Sequence, residues 1–197
     1  MTISPHKIAG GPAYGDKIPL SVLTNPYSGA VGKYTENKYF QQHKLNKGTG
    51  ADIQSVVKIE IKTREETSIA DHTITSVSIS TLLTTDYSDS TLCEKMQYQQ
   101  RVKWSKLLGI YTDSKLYNFT LPEIQRVLES EYNELVNELE DMRSNGVYPN
   151  GETIKTDSLI VEISKAGIAK IRIKNATMKY WETVASVDRV FNLLFED

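Results

Sequence analysis

The 197-residue sequence contains a single cysteine, Cys93, and no hydrophobic run of transmembrane length. One cysteine cannot form an internal disulfide or a thiolate metal cluster, which argues against a disulfide-bonded secreted protein and a zinc module. A membrane-spanning helix needs about 20 apolar residues, and the first residues lack the pattern of a signal peptide. We therefore expect a protein of the cytoplasm or of a virion that is not secreted through a signal peptide and has no membrane partner.

Recognisable catalytic and cofactor-binding motifs are also missing. The glycine-rich stretch 48–50 follows polar residues and precedes a strand, whereas a dinucleotide-binding turn follows a strand and opens a helix. This stretch therefore predicts a hinge. The three histidines, His6, His43 and His72, do not have the spacing of metal ligands on a helix. The sequence predicts no metal, no cofactor and no enzymatic activity.

An enzyme with a dispersed active site is the least favoured alternative. Its first candidate residues are the acids and the imidazole that precede or follow predicted strands, namely Asp71, His72, Asp86 and Asp89. Adjacent residues of a strand point to opposite faces, which counts against a proton relay between Asp71 and His72. The pattern around His72 favours a histidine in a surface loop.

Charge, proline and glycine are distributed unevenly along the chain. The whole sequence has 23 Lys and Arg against 25 Asp and Glu, a balance that disfavours a surface built entirely for nucleic acid. Residues 1–50 have a net charge of +4 and the remainder has −6. The same 50 residues contain four of the six prolines and seven of the eleven glycines, which interrupt helical and strand periods. We predict an extended arm over residues 1–52 and an α+β domain over residues 53–197.

Such an arm buries too little apolar surface to order itself, because fixing the backbone costs about 1 to 2 kcal/mol per residue. It carries aromatic residues that are suited to anchoring it on a neighbouring subunit, namely Tyr14, Tyr27, Tyr34, Tyr39 and Phe40. The alternative, equally weighted, is that the arm wraps around its own domain.

The remainder of the chain predicts one mainly antiparallel four-stranded sheet, formed by two hairpins, with about three helices. Apolar and polar residues alternate in the predicted strands, which cover residues 57–62, 73–81, 159–163 and 169–173. The first two and the last two of these are expected to pair as hairpins. Helical spacing and capping residues predict helices over residues 91–108, 120–145 and 177–195.

The helix over residues 120–145 has the clearest pattern. Thr120 and Glu123 predict a capping box, with Pro122 in the first turn. An apolar seam with intervals of 7, 4, 3, 4 and 3 residues runs from Leu121 to Met142. The opposite face is strongly acidic and carries Glu123, Glu129, Glu131, Glu134, Glu138, Glu140 and Asp141 against Arg126 and Arg143. An amphipathic helix that lies on the sheet is favoured over a helix that contacts another subunit through this seam.

The last predicted strand carries a row of cations, Lys170, Arg172 and Lys174, which are candidates for contact with another subunit or with nucleic acid. Glu60 and Glu162 are expected to neutralise part of this row. The pattern as a whole favours a non-enzymatic structural subunit of a homo-oligomeric assembly, in the style of virus or phage connector, neck and tail components. The expected partners are further copies of the chain and other assembly proteins, and nucleic acid is less favoured. A regulatory or nucleic-acid-binding module that uses residues 168–174 is the alternative.

Overall fold

The computed structural model describes residues 11–186, which form two four-stranded sheets and six α-helices in an α+β arrangement. The strands are β1 (Ile53–Gln54), β2 (Lys58–Glu65), β3 (His72–Ser78), β4 (Tyr98–Ser105), β5 (Ile110–Asn118), β6 (Thr153–Lys155), β7 (Leu159–Ile163) and β8 (Ile168–Ile173). The helices are α1 (Leu20–Leu23), α2 (Ala30–Tyr39), α3 (Ile79–Thr84), α4 (Thr91–Lys95), α5 (Pro122–Ser144) and α6 (Asn175–Ala185). The α+β class is confirmed, whereas the single sheet and the number of helices are not.

The first sheet has the order β1-β2-β4-β5, and its β2–β4 pair is parallel. Alternation divides β2 between two faces: Ile59 and Ile61 point into one hydrophobic core, while Glu60, Lys62 and Arg64 belong to the other face. The segment before β1 covers the hydrophobic face of this sheet.

The structure of residues 11–52 differs from the extended arm that their glycines and prolines predict. Helix α2 contains one glycine and no proline, and its Val31 and Thr35, four residues apart, are both buried. Phe40 is fully buried in the core of the first sheet. The described part of this segment therefore obtains much of its order from its own domain.

Strands β4 and β5 form a hairpin that the sequence patterns did not predict. The predicted helix over residues 91–108 ends at Lys95, and Tyr98, Val102 and Trp104 instead face the core of the first sheet. Gly109, which could have ended a helix, adopts a φ of +67° in the hairpin turn. A glycine with positive φ is typical both of a helix C-terminus and of a hairpin turn. The glycine at position 109 therefore did not distinguish the predicted helix from the observed hairpin.

The second sheet has the order β3-β8-β7-β6 and is fully antiparallel. The predicted hairpin of β7 and β8 is confirmed. The other predicted hairpin is wrong, because β2 pairs with β4 in the first sheet and β3 pairs with β8 in the second. The observed partners differ from the predicted ones because an alternating pattern is compatible with either sheet and does not specify which strand lies beside it.

Helix α5 is confirmed, and its apolar seam packs on the inner face of the second sheet. The predicted capping box is absent: Leu121 is the N-cap, and the Thr120 hydroxyl donates to Asn118 instead. Pro122 lies in the first turn as predicted. Helix α6 begins at Asn175 and packs on the same core through Met178 and Trp181. The predicted continuation of this helix to residue 195 lies outside the described residues.

Candidate functional site

The outer face of the second sheet is open to solvent. Its inner face carries the side chains that form the core with α5 and α6, such as Val161 and Ile171. On the outer side, β8 presents Ile168, which is 41% exposed, and Lys170, and β6 presents Lys155. Within residues 11–186, no layer of helix or strand covers this side.

The predicted cation row lies partly on this open face. Lys170 is exposed and stands opposite Glu162 of β7 in the strand register. Arg172 forms an ion pair with Glu162, as the sequence pattern indicated. Lys174 donates from Nζ to the Thr156 carbonyl at 2.8 Å, which occupies it within the domain. Of the three predicted cations, Lys170 is therefore the most accessible.

The other predicted neutralising residue, Glu60, lies in the first sheet and has no part in this row. It is 3% exposed, and its Oε2 is 3.4 Å from Lys62 Nζ and 3.2 Å from Lys95 Nζ. Burial, followed by a hydrogen bond with Asp52, raises the pKa of Glu60 to about 7. A partly buried cluster of two carboxyls and two ammonium groups, centred on the buried Glu60, thus links β2 to α4.

Helix α5 presents an acidic surface on the side of the domain opposite the open sheet face. Its seam is buried, and its outer side chains are exposed. These exposed charges comprise six carboxylates and two guanidinium groups: Glu123, Glu129, Glu134, Glu138, Glu140, Asp141, Arg126 and Arg143. The domain therefore has an acidic helical side and a sheet side on which cations predominate.

The five aromatic residues predicted to contact a neighbouring subunit divide into two groups. Tyr14 and Tyr27 are 77% and 64% exposed and remain candidates for that contact. Tyr34 and Tyr39 pack at the edge of the core of the first sheet, and Phe40 lies within it. Phe40 is therefore not accessible to a neighbour, because its ring is already surrounded by residues of its own domain.

A cleft with a volume of about 360 Å³ lies at the junction of the two sheets. It is lined by side chains from β2, β3, β4, α6 and the loop that joins β2 to β3. Its charged and imidazole residues are Arg64, Glu65, Glu66, His72, Arg101, Lys103, Lys179 and Glu182. They come from three stretches of the chain, residues 64–72, 101–103 and 179–182, that are far apart in sequence, so no spacing pattern could reveal that they form one cleft.

At the centre of the cleft, Arg101 contacts both His72 and Glu182. Arg101 Nη2 is 2.9 Å from His72 Nδ1, and Arg101 Nη1 forms an ion pair with Glu182. His72 is 2% exposed, which corrects the expectation of a surface loop histidine. Burial, together with the positive charges of Arg101, Lys62 and Arg64, lowers the pKa of His72 well below its usual value. The imidazole is therefore neutral at neutral pH.

The remaining residues suggested for a dispersed active site do not converge on this cleft. Asp71 accepts a hydrogen bond from the Asn175 amide at 3.2 Å and so holds the start of α6. Asp89 lines two cavities with Thr91, and neither of them contains His72. Asp86 lines none of these cavities. The four candidates thus do not form one catalytic group.

Within residues 11–186, no helix is long and apolar enough to cross a membrane. The same residues contain no group of three or more potential metal ligands. No protein-family model matches the chain, and a comparison with curated proteins finds no relative.

Proposed function

We propose that the protein is a non-enzymatic subunit of a homo-oligomeric assembly in which the open sheet face of one copy contacts the acidic side of α5 in the next. The observation that carries this proposal is the exposed outer face of the second sheet. An antiparallel sheet is stable with one face in water, so exposure alone does not call for a partner. The combination of apolar and charged residues on this face is suited to contact with another protein surface.

Charge complementarity supports a second copy of the same chain as the occupant. The open face presents Lys155, Lys170 and Arg172 against one carboxylate, Glu162. The outer side of α5 carries six carboxylates against two guanidinium groups. Opposite charges on facing surfaces select the partner and its orientation, and they accelerate association at low salt.

The position of the two surfaces defines the symmetry of the contact. They lie on opposite sides of one layered unit, so a copy cannot present both to the same neighbour. The contact is head-to-tail, and its repetition forms a closed ring or an open filament. Ile160, which is partly buried, and the exposed Ile168 at the start of β8 provide apolar area on the open face.

Nucleic-acid binding through the cation row has less support. Arg172 is paired with Glu162, and Lys174 is bonded to the Thr156 carbonyl. Each of these cations would have to leave its partner before it could neutralise a phosphate. A row reduced mainly to Lys170 offers few phosphate contacts.

A charge swap tests the assembly. We expect the double variant Lys155→Glu/Lys170→Glu to lower the native mass measured by light scattering, because like charges then face each other. The triple variant Glu134→Lys/Glu138→Lys/Asp141→Lys should do the same. Combining both sets restores opposite signs and should restore the larger species.

Lys33→Glu/Lys47→Glu is the matched control, since both lysines are exposed and lie outside the two surfaces. This control should retain the native mass of the unchanged protein. A protein that is monomeric at all concentrations tested would overturn the proposal. An unchanged mass in the Lys155→Glu/Lys170→Glu variant would also overturn it.

A further inference from the structure

We propose that the cleft between the two sheets is a binding site for a small ligand that carries one phosphate group. This site is separate from the surfaces proposed for assembly. Its volume of about 360 Å³ lies within the range of roughly 300 to 1,000 Å³ that is typical of small-molecule sites.

The hydrogen-bonding state of His72 is the first argument. An arginine guanidinium can only donate, so the contact between Arg101 Nη2 and His72 Nδ1 requires an unprotonated Nδ1 that accepts. A neutral imidazole then carries its proton on Nε2. This Nε2 is buried and has no hydrogen-bond partner among the described residues. A buried N–H donor without an acceptor is costly, which favours an acceptor supplied by a ligand.

The other polar groups of the cleft point to the same ligand chemistry. Arg101 is 13% exposed at its side chain and stays charged, since burial lowers its pKa only to about 10. Arg64 is held in place by the Ala70 and Asp71 carbonyls, 3.5 and 3.4 Å from its nitrogens. Lys103 and Lys179 are exposed residues at the edge of the cleft. Arg101 and Arg64 are engaged by their contacts within the domain and contribute mainly positive charge. The donors left available to a ligand are His72 Nε2 and the ammonium groups of Lys103 and Lys179, which come from β3, β4 and α6 and suit the several acceptor oxygens of a tetrahedral anion.

The carboxylates of the cleft limit the charge of the ligand. Glu182 is paired with Arg101, and Glu65 accepts a hydrogen bond from the Thr67 hydroxyl at 3.3 Å. Together with Glu66 they offset three of the four cationic side chains. This balance favours one phosphate group over a polyanion such as nucleic acid. The volume that a phosphate does not fill accommodates an attached organic group.

Titration of the full-length protein with inorganic phosphate and, separately, with adenosine monophosphate tests the site by calorimetry. We expect saturable binding of both probes. Equal affinities would assign recognition to the phosphate alone, and tighter binding of the nucleotide would add the organic group to the ligand. The absence of saturable binding of either probe at millimolar concentrations would overturn the proposal.

Two sets of variants locate the binding. Lys103→Gln/Lys179→Gln changes exposed residues only and should weaken phosphate binding about tenfold, the equivalent of one charge-assisted hydrogen bond. His72→Leu removes the unpaired donor and should weaken binding by a similar factor, whereas His72→Gln can retain an N–H donor and should weaken it less. Lys33→Gln/Lys47→Gln is the control for general charge.

Nitrogen-detected NMR supplies a readout that a purely structural role for His72 would not change. Addition of phosphate should shift the His72 Nε2 resonance and leave that of His43, which lies outside the cleft, in place. If Lys33→Gln/Lys47→Gln and Lys103→Gln/Lys179→Gln weakened phosphate binding equally, the binding would be nonspecific and the proposal would be overturned. An unshifted His72 resonance at saturating phosphate would also overturn it.

Discussion

Glu131, on the sheet-facing side of α5, accepts a hydrogen bond at its Oε1 from the Ser158 amide at 2.6 Å. The same oxygen accepts from the Thr156 hydroxyl, so one carboxylate secures the turn between β6 and β7. Glu131 is 6% exposed, in contrast to the exposed acidic residues around it on the helix. Sequence patterning placed Glu131 with the acidic outer face, because the position alone does not show that a neighbouring turn supplies the donors.

Glu131→Ala should therefore destabilise the protein by about 1 to 3 kcal/mol, because it leaves a buried amide and a buried hydroxyl without their acceptor. Glu131→Gln retains a carbonyl oxygen as an acceptor and should lower the unfolding free energy by less than Glu131→Ala. Urea denaturation measures the difference. Glu134→Ala, at an exposed position on the same helix, is the control and should change the unfolding free energy by less than about 0.5 kcal/mol. Equal effects of Glu131→Ala and Glu134→Ala would contradict the role of the buried carboxylate.

Phe40 tests whether the segment before β1 is part of the folded domain. The ring is fully buried in the core of the first sheet, so Phe40→Ala should lower the unfolding free energy by about 3 to 5 kcal/mol. Tyr27→Ala removes an aromatic ring that is 64% exposed and should lower the unfolding free energy far less. Thermal or urea denaturation distinguishes the two. A Phe40→Ala variant as stable as Tyr27→Ala would mean that the segment is not anchored on the sheet in solution.

The elements that could be predicted from sequence are those whose signal is local. Helix α5 has a long seam and a proline in its first turn, and the hairpin of β7 and β8 has strict alternation around one short turn. Helix α2 also carries a local signal, in the spacing of its buried residues Val31 and Thr35. The density of glycines and prolines on either side of it obscured that signal.

The division of the strands between two sheets has no local signal. Alternation shows that β2 and β3 are strands but not which partner each selects. The strands β4 and β8, which place β2 and β3 in different sheets, lie at least 30 residues further along the chain. The cleft is hidden for the same reason, since His72, Arg101 and Glu182 meet only after the two sheets have formed. Local sequence patterns therefore identify the strands but do not predict the cleft, which depends on contacts between residues that are distant in sequence.

Gly50 is constrained in a way that the prediction of a hinge does not anticipate. It is buried and has a φ of +96°, and a Cβ at this position would overlap the carboxylate of Glu94, which accepts from the Ala51 amide at 3.1 Å. Gly50→Ala should therefore combine backbone strain of about 1 to 3 kcal/mol with the displacement of Glu94.

Gly146→Ala is the matched control for this prediction. Gly146 has a φ of +73°, and a Cβ there would meet nothing within 4 Å. This variant should show the backbone strain alone, so Gly50→Ala should be the less stable of the two in urea denaturation. Equal losses of stability would mean that the carboxylate of Glu94 moves away at no cost.

The buried Glu60 should make stability depend on pH in a direction unusual for a carboxyl that is close to lysines. Burial raises its pKa to about 7 in the folded protein, whereas the unfolded chain has the ordinary value of 4.5. Between these values the folded state holds a proton that the unfolded state has released, so this contribution to stability is present below pH 4.5 and is lost as the pH rises to about 7. Each pKa unit corresponds to about 1.4 kcal/mol.

His72 contributes the opposite slope, because its lowered pKa means that stability is lost as the pH falls below 6.5. Glu36, whose pKa is raised by burial and by Glu60, contributes in the same direction as Glu60. The difference in unfolding free energy between the unchanged protein and Glu60→Gln, measured by urea denaturation from pH 4.5 to 7.5, therefore reports Glu60 together with the part of the Glu36 shift that Glu60 causes. We expect the unchanged protein to lose stability relative to Glu60→Gln as the pH rises through this range. Parallel curves for the two proteins would show that Glu60 ionises in the folded state as it does in the unfolded chain.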